Sequence, residues 1–266
     1  MTGAAVLLAL ALAMPSFSLV DRLVFHPSPG VDLEPAKLGI HAEEVFLEAE
    51  DGTRIHAFVL PHEGATRAFL FLHGNAGNAS HRLPNAALLQ RMGATVLLLD
   101  YRGYGRSEGR PTEAGVYADA RAGLVYLVGR LGVPEERVVV FGRSLGGAVA
   151  VELARDRPLA GVILESTFTS FHAMVRQIVG TGFGRLTRGR FDALAKIGEV
   201  RAPLCFFHGD RDEVVPYAFG RELYEAAPEP KHFTTIRGAG HNDTVQVGGP
   251  GYLERIAGFL EEVAPR

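Results

Sequence analysis

The sequence predicts an α/β fold with a mainly parallel sheet and helices on both faces. The chain has 266 residues, of which 47% are hydrophobic, so it can form one large domain or two small ones with a sizeable core. Short runs rich in Val, Leu and Ile alternate with longer segments of helical periodicity. The apolar runs contain few polar residues, which is typical of strands that are buried on both faces.

Charge and cysteine content exclude several classes of protein. The net charge is only −3, which provides no broad electrostatic basis for binding nucleic acid. The single cysteine excludes an internal disulfide framework, and its apolar surroundings in "PLCFF" predict that Cys205 is a buried core thiol. No Cys/His spacing resembles a zinc site.

The first 20 residues carry no charged side chain and include the apolar run "AAVLLALALAM". A membrane-spanning helix needs about 20 such residues, so we predict an uncleaved anchor over residues 1–20 and membrane association through it. A signal peptide is the first alternative: an A-x-A pattern is present, but no Lys or Arg precedes the run. A buried helix is the second. The nearby basic residue Arg22 does not decide which side of the membrane the chain faces.

The remaining chain, residues 21–266, is predicted to form the folded domain. Residues 21–30 are interpreted as a connector, and residues 43–61 as two strands joined in a hairpin at Asp51-Gly52. The next elements alternate between strand and helix: strand 68–74, helix 80–93 with Pro84 in its first turn, strand 94–103 and helix 112–132.

The second half continues the alternation. The predicted elements are strand 137–142, helix 145–156, and strands 160–166, 203–209 and 231–238, with a helix between the last two strands and a final helix over 251–263. In open sheets of this kind, sites form beyond the carboxyl ends of the strands. The loops that follow Leu72, Leu99, Phe141, Leu164, Phe207 and Ile236 are therefore the candidates.

One of these loops requires a sharp bend. The strand ends near Phe141 and a helix begins at Leu145, so the chain must turn at Ser144. Such a bend can hold a non-glycine residue in a strained conformation at a cost of about 1–3 kcal/mol. Gly142 and Gly146 remove the side chains that would collide there.

The other loops supply partners for this serine. Asp210 and Asp212 follow one strand, His241 follows another, and the loop "HGNAGN" over residues 73–78 follows a third. A serine hydroxyl becomes a nucleophile when a histidine takes its proton, and a carboxylate can orient that histidine. The loops therefore contain the residue types of a catalytic triad.

Five ordered motifs resemble those of the α/β-hydrolases. They are "FLHGNAGN", "LLLDYRGYGRSEG", "GRSLGG", "HGDRDEVVP" and "GAGH". The G-x-S-x-G element is similar to the family's nucleophile elbow. The resemblance covers nearly the whole chain, including "DRLVFHPSPG" after the apolar N-terminus. It points to a branch of small, often membrane-anchored serine hydrolases that includes the protein depalmitoylases of eukaryotes, and it implies an α/β-hydrolase fold with a short cap over about 167–199.

The resemblance also implies roles for individual residues. Ser144 would be the nucleophile, His241 the base and Asp212 the orienting acid, because the family pattern G-x-x-D-x-x-V aligns Asp212 with the acid. Asp210 and Glu165 are the alternative acids. The Leu145 N–H, at a helix N-terminus, is predicted to donate to the oxyanion.

Further roles are assigned to the neighbouring polar residues. The resemblance implies that the Asn75 N–H is the second oxyanion donor. Asp100, Arg102 and Tyr104 are predicted to hold a turn near that loop. We expect Arg143 to pair with a surface acid, and binding of an anionic substrate group is the alternative.

His73 and His208 each precede a glycine at the end of a strand. We predict local hydrogen bonds for both histidines, rather than the role of catalytic base.

Fewer than forty residues separate Glu165 from Pro203, so any cap is short. Its apolar residues could form an acyl-binding groove or could simply cover the sheet; they are Phe168, Phe171, Met174, Ile178 and Phe183. The basic residues that follow could lie near lipid headgroups if residues 1–20 form an anchor; they are Arg185, Arg188, Arg190 and Lys196.

The predicted function is a serine hydrolase acting on carboxylic esters or thioesters through an acyl-enzyme. The expected substrate is a small-molecule or lipid-like acyl compound, and the mechanism needs no metal or organic cofactor. A serine peptidase of the same fold and a non-catalytic, membrane-tethered binding protein are the alternatives. The sequence does not indicate an oligomeric state.

Overall fold

An eight-stranded sheet forms the centre of the domain. The computed structural model describes residue 21 and residues 24–179, 187 and 189–264. The strand order is β10-β9-β8-β7-β4-β6-β3-β2, and β1 pairs with β5 in a separate two-stranded sheet. The strands are β1 (His26–Pro27), β2 (Glu43–Glu48), β3 (Arg54–Leu60), β4 (Ala68–Leu72), β5 (Ala76–Gly77), β6 (Thr95–Leu99), β7 (Val138–Arg143), β8 (Gly161–Glu165), β9 (Leu204–Gly209) and β10 (Lys231–Ile236).

Helices connect most of the strands. Within the described chain they are α1 (Leu83–Gln90), α2 (Glu113–Gly129), α3 (Leu145–Ala154), α4 (Phe171–Val179), α5 (Ala193–Lys196), α6 (Tyr217–Ala226) and α7 (Thr244–Glu262). The six strands from β10 to β6 run parallel to one another. Strand β3 is antiparallel to both β6 and β2. The prediction of a mainly parallel sheet is confirmed.

Both faces of the sheet are covered, as the unbroken apolar runs predict. In β4, Phe69 and Phe71 belong to one core cluster and Leu70 and Leu72 to the other. Helices α2 and α3 contribute to the cluster that contains Leu70, and α1 and α7 contribute to the cluster that contains Phe69. Cys205 is buried in the second cluster, and burial raises the pKa of its thiol to about 12.

Local signals explain where several elements begin. The Thr112 side chain accepts a hydrogen bond from the Gly115 N–H at 3.1 Å and caps the start of α2. Pro84 lies in the first turn of α1, as predicted. The hairpin turn between β2 and β3 includes Gly52, whose φ of 79° favours glycine.

Two elements differ from the sequence prediction. The predicted connector contains strand β1, which is only two residues long and has no apolar pattern that could predict it. Helix α7 begins at Thr244 rather than at the predicted Gly251, and it is interrupted by Gly249, which has a φ of 52°. Pro250 follows and lacks an N–H group. Because Gly and Pro are typical helix breakers, the sequence pattern predicts a helix only after them and misses the first turn of α7.

The turn from β7 into α3 depends on close contacts at glycines. A Cβ atom on Gly146 would overlap the carbonyl groups of Leu72 and His73, and one on Gly147 would overlap the Thr167 side chain. The backbone of α3 therefore lies directly against the end of β4. This contact places the first residue of α3 beside the loop that follows β4.

We predict that Gly146→Ala destabilises the domain. The new methyl group would meet backbone rather than a flexible side chain, and overpacking of this kind costs about 1–3 kcal/mol or more. Gly129→Ala is the control, because Gly129 lies at the end of a helix and a Cβ atom there would meet no neighbouring atom within 4 Å. The free energy of unfolding in urea measures both changes. Equal stability of the two variants would contradict this explanation of the turn.

Candidate active site

Ser144 occupies a strained position between β7 and α3. Its φ and ψ are 53° and −115°, a conformation that costs a non-glycine residue about 1–3 kcal/mol. The Ser144 N–H donates to the Glu165 carbonyl at 2.8 Å, and the Ser144 carbonyl accepts from the Gly147 N–H at 3.0 Å. The residue is 9% exposed. The bend predicted from the flanking glycines is therefore present at this serine.

Asp212 and His241 are in direct contact. The His241 Nδ1 lies 2.8 Å from the Asp212 Oδ2. The Asp212 Oδ1 accepts the backbone N–H groups of Val214 and Val215 at 2.9 and 2.7 Å. The carboxylate is fully buried, and His208 Nε2 lies 3.4 Å from its Oδ2. The loop after β9 thus holds a carboxylate against the histidine of the loop after β10.

The environment of Asp212 keeps its carboxylate ionised. Burial acts to raise its pKa, but hydrogen bonds to His208 and His241 outweigh burial and hold the pKa well below its usual range. An ionised carboxylate can only accept hydrogen bonds. The proton in the contact between Asp212 and His241 therefore belongs to Nδ1, which leaves Nε2 unprotonated in the neutral imidazole.

The two alternative acids have other partners. The Asp210 Oδ1 accepts the Gly238 N–H at 2.6 Å, which stabilises the turn after β10. Both oxygens of Glu165 are hydrogen-bonded elsewhere: Oε1 to Arg143 and Oε2 to Tyr252. Of these three carboxylates, all within the described chain, Asp212 is the one that hydrogen-bonds to His241.

Arg143 joins the serine turn to the histidine loop. Its Nε donates to Glu165 Oε1 at 2.9 Å. Its Nη2 donates to the His241 carbonyl and, at 3.0 Å, to the Asn242 Oδ1. The expectation of a surface acid is wrong, because Glu165 is completely buried. Arg143, which precedes Ser144, is therefore buried against the end of β8 and is not exposed to solvent.

Tyr252 completes this buried cluster, and the sequence contains no signal for its role. Its hydroxyl donates to Glu165 Oε2 at 2.6 Å from helix α7. Burial and the nearby carboxylate raise the pKa of Tyr252 well above its usual value, so the hydroxyl remains protonated. The two residues are 87 positions apart, and only the fold brings them together.

The loop after β4 passes beside the serine. A Cβ on Gly74 would lie 3.4 Å from the Ser144 Cβ. Asn75 follows, and its side chain accepts from the Tyr104 hydroxyl at 2.9 Å. Leu145 is the first residue of α3, so its N–H is one of the amides that cannot bond within the helix. The structure therefore brings Leu145 and the loop containing Asn75 to the same strand-end region.

The remaining polar residues near this loop are largely structural, as expected. Asp100 accepts the Ala79 N–H at 2.7 Å, and Tyr104 bonds to Asn75 as described above. Arg102 is structural too: its guanidinium binds Asp119 of α2 and Asp51 of the turn between β2 and β3. The buried guanidinium thus connects α2 to the turn between β2 and β3.

The two other histidines have the predicted local partners. The His73 Nδ1 lies 2.7 Å from the Gly74 carbonyl, and the His208 Nε2 lies 3.0 Å from the Val215 carbonyl. His208 also contributes to the surroundings of Asp212, which the sequence prediction missed. The spacing of four residues between His208 and Asp212 is the sequence feature from which this contact could have been predicted.

The described part of the predicted cap packs largely against the core. Phe168 and Met174 are buried, and Phe171 packs on the same cluster. Two of the basic residues form ion pairs: Arg190 with Asp21 at 3.3 Å and Lys196 with Glu152 at 2.9 Å. These contacts favour a covering role for this part of the cap.

Several predicted features lie outside the described residues. They are the 1–20 segment, Arg22, Phe183, Arg185, Arg188 and the side chain of Ile178. The anchor therefore stays a prediction. Among the helices of the described chain, none has both the length and the apolar character to cross a bilayer. The described residues also contain no group of three or more His, Cys, Asp or Glu side chains that could hold a metal ion.

The buried charge pair yields a stability prediction. Glu165→Gln should lower the free energy of unfolding by about 3–5 kcal/mol, because it leaves the Arg143 guanidinium buried without its counter-charge. Glu50→Gln is the control, since Glu50 pairs with Arg121 at the exposed surface, where such pairs contribute about 0–1 kcal/mol. Urea unfolding measures both. A loss for Glu165→Gln no larger than for the control would show that the buried pair contributes little.

Comparisons with known proteins agree with this architecture. A family model described as alpha/beta hydrolase fold matches residues 67–182. The chain is 36% identical to the alpha/beta hydrolase domain-containing protein WAV2 of Arabidopsis thaliana, over 92% of this chain and 88% of that protein. It is 32% identical to protein bem46 of Schizosaccharomyces pombe, over 86% of this chain and 79% of that protein.

A solved structure shares the fold at lower sequence identity. The Pyrococcus furiosus esterase Pf2001 superimposes with a TM-score of 0.75 at 21% identity, covering 89% of this chain and 98% of the esterase. The parallel sheet, the strained serine at the end of β7 and these relatives lead to one conclusion. The chain belongs to the α/β-hydrolase family.

Proposed function

We propose that this hydrolase is a serine hydrolase that cleaves carboxylic esters or thioesters through an acyl-enzyme. The observation that carries the proposal is the 2.8 Å contact between His241 Nδ1 and the buried, ionised Asp212, at the sheet edge where Ser144 is held in a strained turn. A histidine that is oriented by an ionised carboxylate can act as the base that a serine nucleophile requires. Ser144 is the nucleophile, His241 the base and Asp212 the orienting acid.

In the proposed mechanism, Nε2 of His241 accepts the Ser144 proton as Oγ attacks the acyl carbonyl. The Leu145 and Asn75 N–H groups donate to the oxyanion that forms, and the dipole of α3 favours that negative charge. His241 then gives the proton to the departing alcohol or thiol. Water, activated by the same histidine, releases the acid from the acyl-enzyme.

An exposed apolar side chain adjoins the acid of the proposed triad. The Val214 N–H donates to Asp212 Oδ1, and Val214 is 45% exposed, so its side chain can contact an acyl chain. The sequence resemblance to the depalmitoylase-containing branch and the fold shared with an esterase point to the same substrate class.

The alternatives have less support. A serine peptidase must cleave amides, which are less reactive than esters, and the described chain has no extra domain that would position a polypeptide. A non-catalytic member of the family would usually lack one of the three residues, whereas Ser144, Asp212 and His241 are all present here.

We predict that Ser144→Ala abolishes hydrolysis of p-nitrophenyl esters while the fold is retained. Ser166→Ala is a matched control, since Ser166 is buried at the end of β8 with a φ of 49° and its hydroxyl has no hydrogen-bond partner among the described residues. The assay uses p-nitrophenyl esters and acyl thioesters of increasing chain length, with peptide amides alongside. Wild-type turnover by Ser144→Ala, or cleavage of amides without any ester activity, would refute the proposal.

A second prediction separates the two aspartates. Asp212→Asn should lower kcat by about 10⁴, because an amide cannot hold His241 in the required tautomer. Asp210→Asn should stay within about tenfold of wild type, since its amide oxygen can still accept the Gly238 N–H. Steady-state kinetics on the same ester measures both. A larger loss for Asp210→Asn would reverse the assignment of the acid.

A further inference from the structure

The chain just before the hairpin is attached directly to the loop after β4. We call residues 24–28 the N-terminal segment. Its strand β1 pairs in parallel with β5, so that His26 lies opposite Ala76 and Pro27 opposite Gly77. The Ser28 N–H donates to the Gly77 carbonyl at 2.9 Å. The sequence predicts a simple connector here. The structure instead shows that these residues are hydrogen-bonded to the loop after β4.

The Asn75 side chain makes the central contacts between the two. Its Oδ1 accepts the His26 N–H at 3.2 Å and the Tyr104 hydroxyl at 2.9 Å. Its Nδ2 donates to the Val24 carbonyl at 2.5 Å. Burial raises the pKa of Tyr104 well above its usual value, so that hydroxyl remains a donor. The amide thus bonds to the backbone on either side of Phe25 and to the side chain of Tyr104.

The N-terminal segment is itself firmly packed. Val24 and Phe25 are each 4% exposed, and the Phe25 ring lies 5.8 Å from the Phe191 ring in an edge-to-face contact. Asp21, just before the segment, pairs with Arg190 at 3.3 Å. Asp21 and the segment therefore link residues 190 and 191 of the cap to the loop that contains Asn75.

The loop needs such a support. Gly74 and Gly77 lie on either side of Asn75, and glycines allow a wide range of backbone conformations. An oxyanion donor must point at the position where the charge develops, and small displacements there are costly to the rate. Fixing the Asn75 side chain at three points restricts the rotation of its own peptide group.

We infer that Asn75 is a positioning residue whose side chain, by holding Val24 and His26, orients its own backbone N–H in the oxyanion hole. The N-terminal segment is then a working part of the active site rather than a linker. This inference rests on the proposed function. The proposed mechanism uses only the backbone N–H of Asn75, and the inference adds a role for its side chain.

The first test compares Asn75→Ala with Asn85→Ala in the full-length chain. Asn75→Ala keeps the backbone N–H but loses all three side-chain contacts, so kcat should fall by about 10- to 100-fold while KM changes by less than about threefold. The inhibition constant of a trifluoromethyl ketone, whose adduct carries an oxyanion, should rise by the same factor as kcat falls. Asn85 on α1 is outside the proposed site, and Asn85→Ala should leave both values unchanged.

A second pair of variants does not depend on the stability of Asn75→Ala. His26→Pro removes the N–H that Asn75 accepts, whereas His41→Ala, at an exposed histidine outside the N-terminal segment, should retain activity. His26→Pro should lower kcat and weaken ketone binding in parallel. Thermal unfolding of each variant shows that the compared enzymes are folded.

The outcomes separate the two proposals. If wild-type ester hydrolysis depends on Ser144 but folded Asn75→Ala and His26→Pro keep normal kcat and ketone affinity, the positioning role is wrong and the serine mechanism stands. A rise in KM alone, with kcat and ketone affinity unchanged, would also overturn the inference. An enzyme with no Ser144-dependent hydrolysis would overturn both.

Discussion

The direct contact between the start of α3 and the end of β4 is the constraint on which the site depends. Gly146 lies against the carbonyls of Leu72 and His73, so any side chain there would push the helix away from the sheet. Because this contact is close, the chain must reverse within the Ser144 turn, and the residue adopts a conformation that is unfavourable for any side chain. The same contact brings the N-terminus of α3 next to the loop containing Asn75.

Buried charges hold the loops that contain Asp212 and His241 in place relative to that turn. Asp212 holds His241 from the β9 side, and Arg143 holds the same loop through the His241 carbonyl. Arg143 is in turn fixed by Glu165, so the serine turn and the histidine loop share one buried ion pair. Burying charges is costly unless each is paired and hydrogen-bonded. Here the carboxylates and the guanidinium all have such partners, which restricts the loops to one arrangement.

Much of the fold could be predicted because parallel strands buried on both faces have a distinctive sequence. The runs around Phe71, Leu98 and Val140 are apolar without alternation, and their carboxyl ends necessarily share one sheet edge. For the same reason the loops with Ser144 and His241 could be expected to converge. The choice between Asp210 and Asp212 depended on a family pattern, because residues two apart in a turn point in directions that the sequence does not specify.

Other features depend on contacts between distant residues, and no local pattern encodes them. Tyr252 pairs with Glu165, and Asn75 pairs with Val24, only because the fold brings these distant residues together. Strand β1 is too short for any periodicity, and the first turn of α7 is hidden by Gly249 and Pro250. The buried partner of Arg143 is another such feature, because charged residues rarely lie within strands that are completely buried.

Mapping the site of covalent labelling tests the central claim most directly. A fluorophosphonate reacts with a serine that is activated by its neighbours, and mass spectrometry of the digested protein locates the phosphonyl group. We expect a single modified peptide, with the label on Ser144, and loss of labelling when His241 is replaced by Ala. Labelling of another residue, or no labelling of the folded wild-type protein, would contradict the claim that Ser144 is an activated nucleophile.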